Sequence, residues 1–470
     1  MKTKICVIKR ILWVIFGTVF LFQVCLAVAW AFTSVQSVQE FYETDIYIQS
    51  IVRRTTDGWH LPGYSVLLFC MRRLFGFAEQ GSVLGMYLIQ TAFSLYCFTE
   101  AVRSVVLIMT KHNLKYGYAF LAAVYIVTNP MIWQMQFALL PDAMCLAAVV
   151  ILFAKLLELC RPENSFRLYC LYVVTGSLLL TGTFERHYFY AGVLLTVVMT
   201  IVAIIRLWKR KGCRREAYKL MFLTPLIVVL VSLIAAYYPA FVGIEGEYPK
   251  YSLAADSMHR AVLPYFEKTH GDYSGEIQSY LTEEMVAAAC AGERAFYTDF
   301  LSELEQLAGE DAGHLYRKMI SETVRMNWKD ISLRMGKEMA GYLLAPVSFV
   351  KYTYHSGNAR FGYNLSRMWE VQPELANAYA IIGTNGMCIF VLAALGIGCA
   401  ELLMKKEDVK PVLSAFGAML TANILVTLPK MIPAPIQIDY RVGLFSLSVW
   451  MIAALSLFLK KYVSEEKEDG

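Results

Sequence analysis

The sequence predicts an all-α polytopic membrane protein with about ten transmembrane helices. Three observations predict it. Apolar residues recur in runs of about twenty, the length of helix that crosses a bilayer core at ~1.5 Å per residue. Hydrophobic residues make up 57% of the 470 and charged residues only 17%, a balance foreign to a soluble domain. The short loops between runs alternate between basic and nearly free of Lys and Arg, as the positive-inside rule asks of a chain that weaves through a membrane.

The elements follow in order. Lys2, Lys4, Lys9 and Arg10 precede an apolar stretch from Ile11 to Phe32. A signal peptide has an apolar region of only about 7–15 residues, so this stretch reads as a retained first span over 11–33. Further spans are expected over 83–109, 116–132, 139–159, 167–184, 187–206, 219–242, 376–403, 411–428 and 439–459. With a cytoplasmic amino terminus, the inside loops hold Lys111 and Lys115, Arg161 and Arg167, and the run Arg206, Lys209, Arg210, Lys211, Arg214 and Arg215. They continue with Lys405, Lys406 and Lys410 and end at Lys460 and Lys461, which places the carboxyl terminus inside as well. The outward connections are poor in Lys and Arg, so the exceptions Arg186, Lys430 and Arg441 become candidates.

Two outward regions are large. The first, 34–82, contains an acidic loop and then Leu61 to Phe77, an apolar run interrupted by Arg72 and Arg73. A crossing there would reverse every later span and put the basic loops outside, so a helix lying in the interface is expected. The second, 243–375, has helical apolar spacing, as at Leu301, Leu304, Leu307 and at Met319, Val324, Trp328, among many charges. It reads as an extracytoplasmic helical insertion. Within it, the apolar segment 339–350 is too short to span and is expected to be interfacial or re-entrant. The chain thus divides into a transmembrane module over 1–242, the insertion over 243–375, and the last spans with a short cytoplasmic tail over 376–470.

The net charge of +5 is accounted for by the inside loops, and no basic recognition arm for nucleic acid is present. Cys25, Cys70, Cys97, Cys145, Cys388 and Cys399 lie in apolar runs with no CxxC pair or zinc-like spacing, so they read as small core hydrophobes rather than metal ligands.

The residue types that can do chemistry gather at the outer surface. Glu43-Thr44-Asp45 is followed by Tyr47 and by Trp59-His60-Leu61-Pro62-Gly63-Tyr64. Asp142 opens a span in Leu140-Pro141-Asp142-Ala143, and Asp439-Tyr440-Arg441 stands at the mouth of the last span. Each has a plain structural reading beside the functional one. Asp142 could cap a helix, Arg441 could snorkel to the interface, and Arg186 could be satisfied by its neighbour Glu185. Trp59 and His60 could anchor the loop among headgroups.

This organisation resembles the GT-C superfamily of integral membrane glycosyltransferases, in the style of bacterial relatives of protein mannosyltransferases and of the aminoarabinose transferases that modify lipid A. Glu43-Thr44-Asp45 is similar to the family's modified Asp-x-Asp motif, and Pro62-Gly63-Tyr64 to its Pro-Gly-Tyr element. Tyr440-Arg441 is similar to an Arg-Tyr pattern near the carboxyl end, in reversed order, which leaves the role of Arg441 open. The resemblance implies a polyprenyl-phosphate sugar as donor, an extracytoplasmic acceptor (glycan, lipid or protein), and inverting displacement without an obligatory metal. A carboxylate must take the acceptor's proton, and Asp45 is the first choice with Glu43 second. Arg441 and Arg186 are the candidates to grip the leaving phosphate. Tyr47, His60, Tyr64, Asp142 and Tyr440 are candidates for substrate contact. A divalent cation held by Glu43 and Asp45 is an open alternative.

Two other classes share ten or more spans: a polysaccharide polymerase or lipid-linked glycan flippase, and a secondary transporter. Transporters place ionisable residues at the bilayer midplane. Here the spans read as nearly free of central charges, which disfavours transport.

Overall fold

The computed structural model describes residues 2–35, 47, 54–56, 60–76, 79–110, 113–210, 212–244, 246–247, 253–344, 393, 395–396, 410–431 and 440–465. Among these residues the chain is helical apart from two short strands and an isolated bridge. The first half builds α1 (Lys2–Val35), α2 (Gly63–Leu74), α3 (Glu79–Thr110), α4 (Tyr116–Val127) and α5 (Pro130–Gln136). It continues with α6 (Asp142–Leu159), α7 (Arg167–Phe184), α8 (Arg186–Lys209) and α9 (Arg214–Phe241).

Among the described residues four stretches are long and apolar enough to cross a membrane: Gly81–Met109, Arg167–Phe184, Arg186–Lys209 and Arg214–Phe241. Shorter apolar helices stand at Val14–Val28, Tyr116–Val127, Leu413–Val426 and Leu444–Leu459. The architecture is that of an all-α polytopic membrane protein. The span expected over 376–403 lies outside the described residues, apart from 393 and 395–396.

Helix α6 is the axis of the bundle. Every residue of it except Glu158 is buried, because α3, α7 and α8 pack around it. Helix α9 is the opposite case. Phe222, Val229, Leu230, Leu233, Ile234 and Phe241 are exposed on it, as expected of a helix that turns most of its surface to lipid. Pro225 and Pro239 sit inside α9, where neighbouring helices make such breaks tolerable.

One expected span is shorter than the hydropathy suggested. The run over 116–132 stops at Val127, and the chain turns through Thr128 and Asn129 before Pro130 opens α5. The ring of Pro130 disfavours helix at Asn129 and suits the first position of a new one. The exposed carbonyls are then taken up by side chains. Gln23 Nε2 donates to Tyr125 O at 3.3 Å, and Gln90 Nε2 donates to Gln136 O and Ala138 O at 2.9 and 3.0 Å.

The spans also carry more charge than expected. Lys155 Nζ lies 3.1 Å from Glu100 Oε2 and 2.9 Å from Glu158 Oε1, and Arg103 lies 3.0 Å from Glu100 Oε1. Ser104 Oγ accepts from Lys155 at 3.1 Å, and the Arg103 guanidinium covers the Tyr116 ring. The cluster sits toward the end of the bundle that carries the basic loops. Two acids and two bases neutralise one another there, so it ties α3 to α6.

Helix α2 falls within the predicted segment Leu61–Phe77. Its 12 residues rise only about 18 Å, short of a bilayer crossing. Arg72 and Arg73 occupy its last turn, where cations suit the helix dipole.

Beyond α9 come α10 (Leu253–Ala261), α11 (Leu263–Thr269), α12 (Glu283–Cys290), α13 (Leu301–Ala308), α14 (Ala312–Met326) and α15 (Trp328–Leu344). They enclose a second core of Phe266, Phe296, Phe300, Leu304 and Met319. Thr282 caps α12 by accepting from Met285 N at 3.1 Å. Two expected core residues are outside it: Leu307 and Trp328 are exposed. At about 100° per residue, Leu301, Leu304 and Ala308 share a face of α13 that Leu307 leaves by roughly a quarter turn.

Two helices close the described chain, α16 (Lys410–Met431) against α8, and α17 (Tyr440–Glu465) against α3 and α6. Strand β1 (Thr55–Thr56) pairs in parallel with β2 (Gly246–Glu247), joining the first loop to the segment after α9.

Candidate active site

The junction of α7 and α8 organises the end of the bundle opposite the basic loops. A single residue, Glu185, separates the two helices, with extended φ −154° and ψ 116°. Its carboxylate turns inward and the residue is 1% exposed. Such a group must be hydrogen-bonded or paired, since an isolated buried charge is costly. Tyr47 OH donates to Glu185 Oε2 at 2.7 Å, and His187 Nδ1 lies 2.8 Å from Glu185 Oε1. His60 Nε2 approaches Oε2 at 3.9 Å.

The backbone fixes the same contact. His60 forms an antiparallel bridge with Glu185, and Leu61 N donates to Phe184 O at 3.1 Å. Gly63 makes this approach feasible. A Cβ there would lie 2.6 Å from Thr183 O and 2.8 Å from the Phe184 ring. A side chain at that position would push the start of α2 away from the end of α7.

An aromatic layer connects this junction to α3. The Tyr47 ring meets His60 and Tyr64 edge-on, each at 5.2 Å between centroids. Tyr64 OH donates to Gln90 Oε1 at 2.6 Å. Burial holds the Tyr64 phenol neutral by raising its pKa well above the usual tyrosine value. Gln90 is the same residue that gathers the carbonyls after α5, so Tyr64 is anchored to a rigid part of the bundle.

Asp142 stands at the start of α6, 1% exposed, with Tyr188 OH 3.4 Å from its Oδ1. It is not the helix cap: Pro141 holds that position and no side-chain capping bond is made. Its place in the first turn still suits a carboxylate electrostatically. Four separate stretches therefore converge: the first loop, α3, the start of α6 and the α7–α8 junction.

Of the candidates from the sequence, Tyr47, His60, Tyr64 and Asp142 are brought to this end of the bundle. Arg186 begins α8 and is half-buried beside the junction. Tyr440 and Arg441 begin α17, and their side chains lie outside what is described. Glu43 and Asp45 lie outside the described residues. Among the described residues no group of three His, Cys, Asp or Glu side chains is arranged to hold a metal ion.

Glu185 and His187 are the residues the sequence reading missed as site members. Glu185 read as the counterion of adjacent Arg186, whereas its carboxylate reaches Tyr47, 138 positions away. The available signal was an acid and a histidine, Glu185-Arg186-His187, at a reversal too short for a solvated loop.

No protein-family model matches the chain, and no curated protein matches it. Among solved structures the chain is similar to the crystal structure of ArnT from Cupriavidus metallidurans bound to undecaprenyl phosphate. The identity is 14%, the match covers 94% of this chain and 77% of that one, and the TM-score is 0.36.

Proposed function

We propose that the protein is a membrane glycosyltransferase that moves a sugar from a polyprenyl-phosphate donor to an acceptor outside the cytoplasm. The observation that carries this reading is the convergence of Tyr47, His60 and Tyr64 from the first loop with Asp142 and Glu185 at one end of an apolar bundle. That end is opposite the basic loops, hence extracytoplasmic by the positive-inside rule. Nucleotide sugars are generally not supplied there, and a lipid-borne donor can enter from the bilayer.

Asp45 is two residues from the buried anchor Tyr47, a reach of at most about 7 Å. In the proposed step its carboxylate takes the proton of the acceptor hydroxyl. The hydroxyl oxygen bonds to the anomeric carbon, the bond from that carbon to the phosphate oxygen breaks, and the electron pair leaves with the lipid phosphate. Arg441 and Arg186 stabilise the departing charge, Glu43 is the second choice of base, and attack from the opposite face inverts the anomeric centre. Glu185 and His187 act as positioning residues that hold Tyr47 and His60. A divalent cation at Glu43 and Asp45 is compatible with the same step.

The test is transfer from radiolabelled polyprenyl-phosphate sugars to membrane acceptors by purified protein, with Asp45→Asn in parallel. Loss of a general base should lower the rate about 100- to 10,000-fold. Undiminished transfer by Asp45→Asn would remove Asp45 as the base. No transfer by wild type from any such donor would count against the reaction class.

A further inference from the structure

A recess lies at the other end of the bundle, far from Glu185. It is a cleft of about 330 Å3 between the basic-loop ends of α3, α6, α8 and α16. Ile108, Leu157, Val198, Met199 and Val202 supply an apolar wall, and Ala415, Gly417 and Ala418 of α16 supply a floor of small residues. Gly417 faces open space, since a Cβ built there would meet nothing within 4 Å. Arg161 and Arg206 stand at the mouth.

These two guanidiniums differ from their neighbours. Arg210 pairs with Glu163, Arg167 with Glu216, and Arg103 with Glu100. Among the described residues neither Arg161 nor Arg206 has a carboxylate within ion-pair distance, and Arg206 Nη2 donates only to the Ser414 hydroxyl, at 2.8 Å. The apolar part of the cleft runs along α8 from Arg206 to Val198. At ~1.5 Å per residue that is about 12 Å, most of the ~15 Å depth of one leaflet's hydrocarbon.

A charge at the interface above an apolar slot one leaflet deep is the complement of an anionic lipid. We propose that this cleft binds an anionic phospholipid of the leaflet on the basic-loop side, cytoplasmic by the positive-inside rule. Arg161 and Arg206 hold its phosphate, and one acyl chain lies against α8 and the small residues of α16. Guanidinium groups match phosphate oxygens bidentately, and basic pockets between spans on that side suit such headgroups. The bound lipid would join α16 to the bundle where small residues leave a gap.

Native mass spectrometry of the detergent-purified full chain tests this without reference to sugar transfer, so its failure leaves the proposed reaction untouched. Phosphatidylglycerol and phosphatidylcholine of matched chains are titrated separately, with glycerol 3-phosphate as a soluble phosphate lacking chains. Wild type should prefer phosphatidylglycerol. An arginine at the membrane surface is worth about fivefold in binding an anionic lipid, so Arg161→Gln with Arg206→Gln should weaken it roughly 25-fold and weaken phosphatidylcholine, whose choline offsets the phosphate charge, by less. Arg161→Lys with Arg206→Lys should restore part of the preference. Gly417→Leu, which keeps both charges and fills the slot, should weaken both lipids. An unchanged preference in the double glutamine variant would overturn the proposal. So would competition by glycerol 3-phosphate as strong as that of the lipid, which would make this a soluble-anion site.

Discussion

Tyr47→Phe isolates the bond that docks the first loop. The change removes one hydroxyl, whose hydrogen bond to the Glu185 carboxylate is 2.7 Å long and buried. The ring stays, with its edge-on contacts to His60 and Tyr64. A hydrogen bond to a charged group contributes about 1.5–3 kcal/mol. At ~1.4 kcal/mol per factor of ten, the ratio of docked to undocked loop should fall about 10- to 100-fold. Trypsin reads this directly, because Arg53 and Arg54 lie between Tyr47 and His60. When reclosing outpaces cleavage, proteolysis follows the open population, so the initial cutting rate in that loop should rise by the same factor. Transfer should fall less, in proportion to the docked fraction that remains. Global thermal unfolding should move by no more than about 3 °C, since one local bond is a small part of a large cooperative structure. A cutting rate equal to wild type would refute the argument that this bond holds the loop.

Two further predictions concern packing. Gly63→Ala sets a Cβ against the Thr183 carbonyl, a backbone group that cannot swing aside, and overpacking of this kind costs about 1–3 kcal/mol. Transfer and thermal midpoint should both fall, whereas Gly17→Ala, which meets open space, should leave both within error; equal behaviour of the two variants would show that α2 does not rest on α7 so closely. Lys155→Met takes the cation from half-buried Glu158 and leaves buried Glu100 with Arg103 alone, and breaking a buried pair costs about 3–5 kcal/mol. Adding Glu158→Gln should recover part of the lost midpoint, and strictly additive losses would show that the two residues are not coupled.

The bundle was legible because a membrane imposes a length. Runs such as Leu220 to Phe241 have no soluble interpretation, and the alternation of loop charge orders them. The break at Asn129-Pro130 was lost because an averaging window passes over a single proline within an apolar run. The ionic cluster was hidden for a different reason. Glu100 and Lys155 are 55 positions apart, and nothing in either helix alone says that its charge will be neutralised across the interface. At the site, Tyr47, His60, Tyr64 and Asp142 could be singled out from residue type and from the side of the membrane they were assigned. The role of Glu185 could not, because local sequence pairs it with Arg186 and only the tertiary fold turns its carboxylate toward Tyr47.

The parallel pairing of Thr55–Thr56 with Gly246–Glu247 has a consequence for how the protein is made. Loop 34–82 leaves the ribosome early, but one of the strands that steadies it is synthesised about 190 residues later, a delay of roughly 10–40 s at ~5–20 residues per second. Until α9 has entered the bilayer and its following segment has emerged, β1 has no partner. Assembly of the loop is therefore a late event in biogenesis, and a nascent chain stalled before residue 246 would carry the first seven predicted spans without a finished first loop.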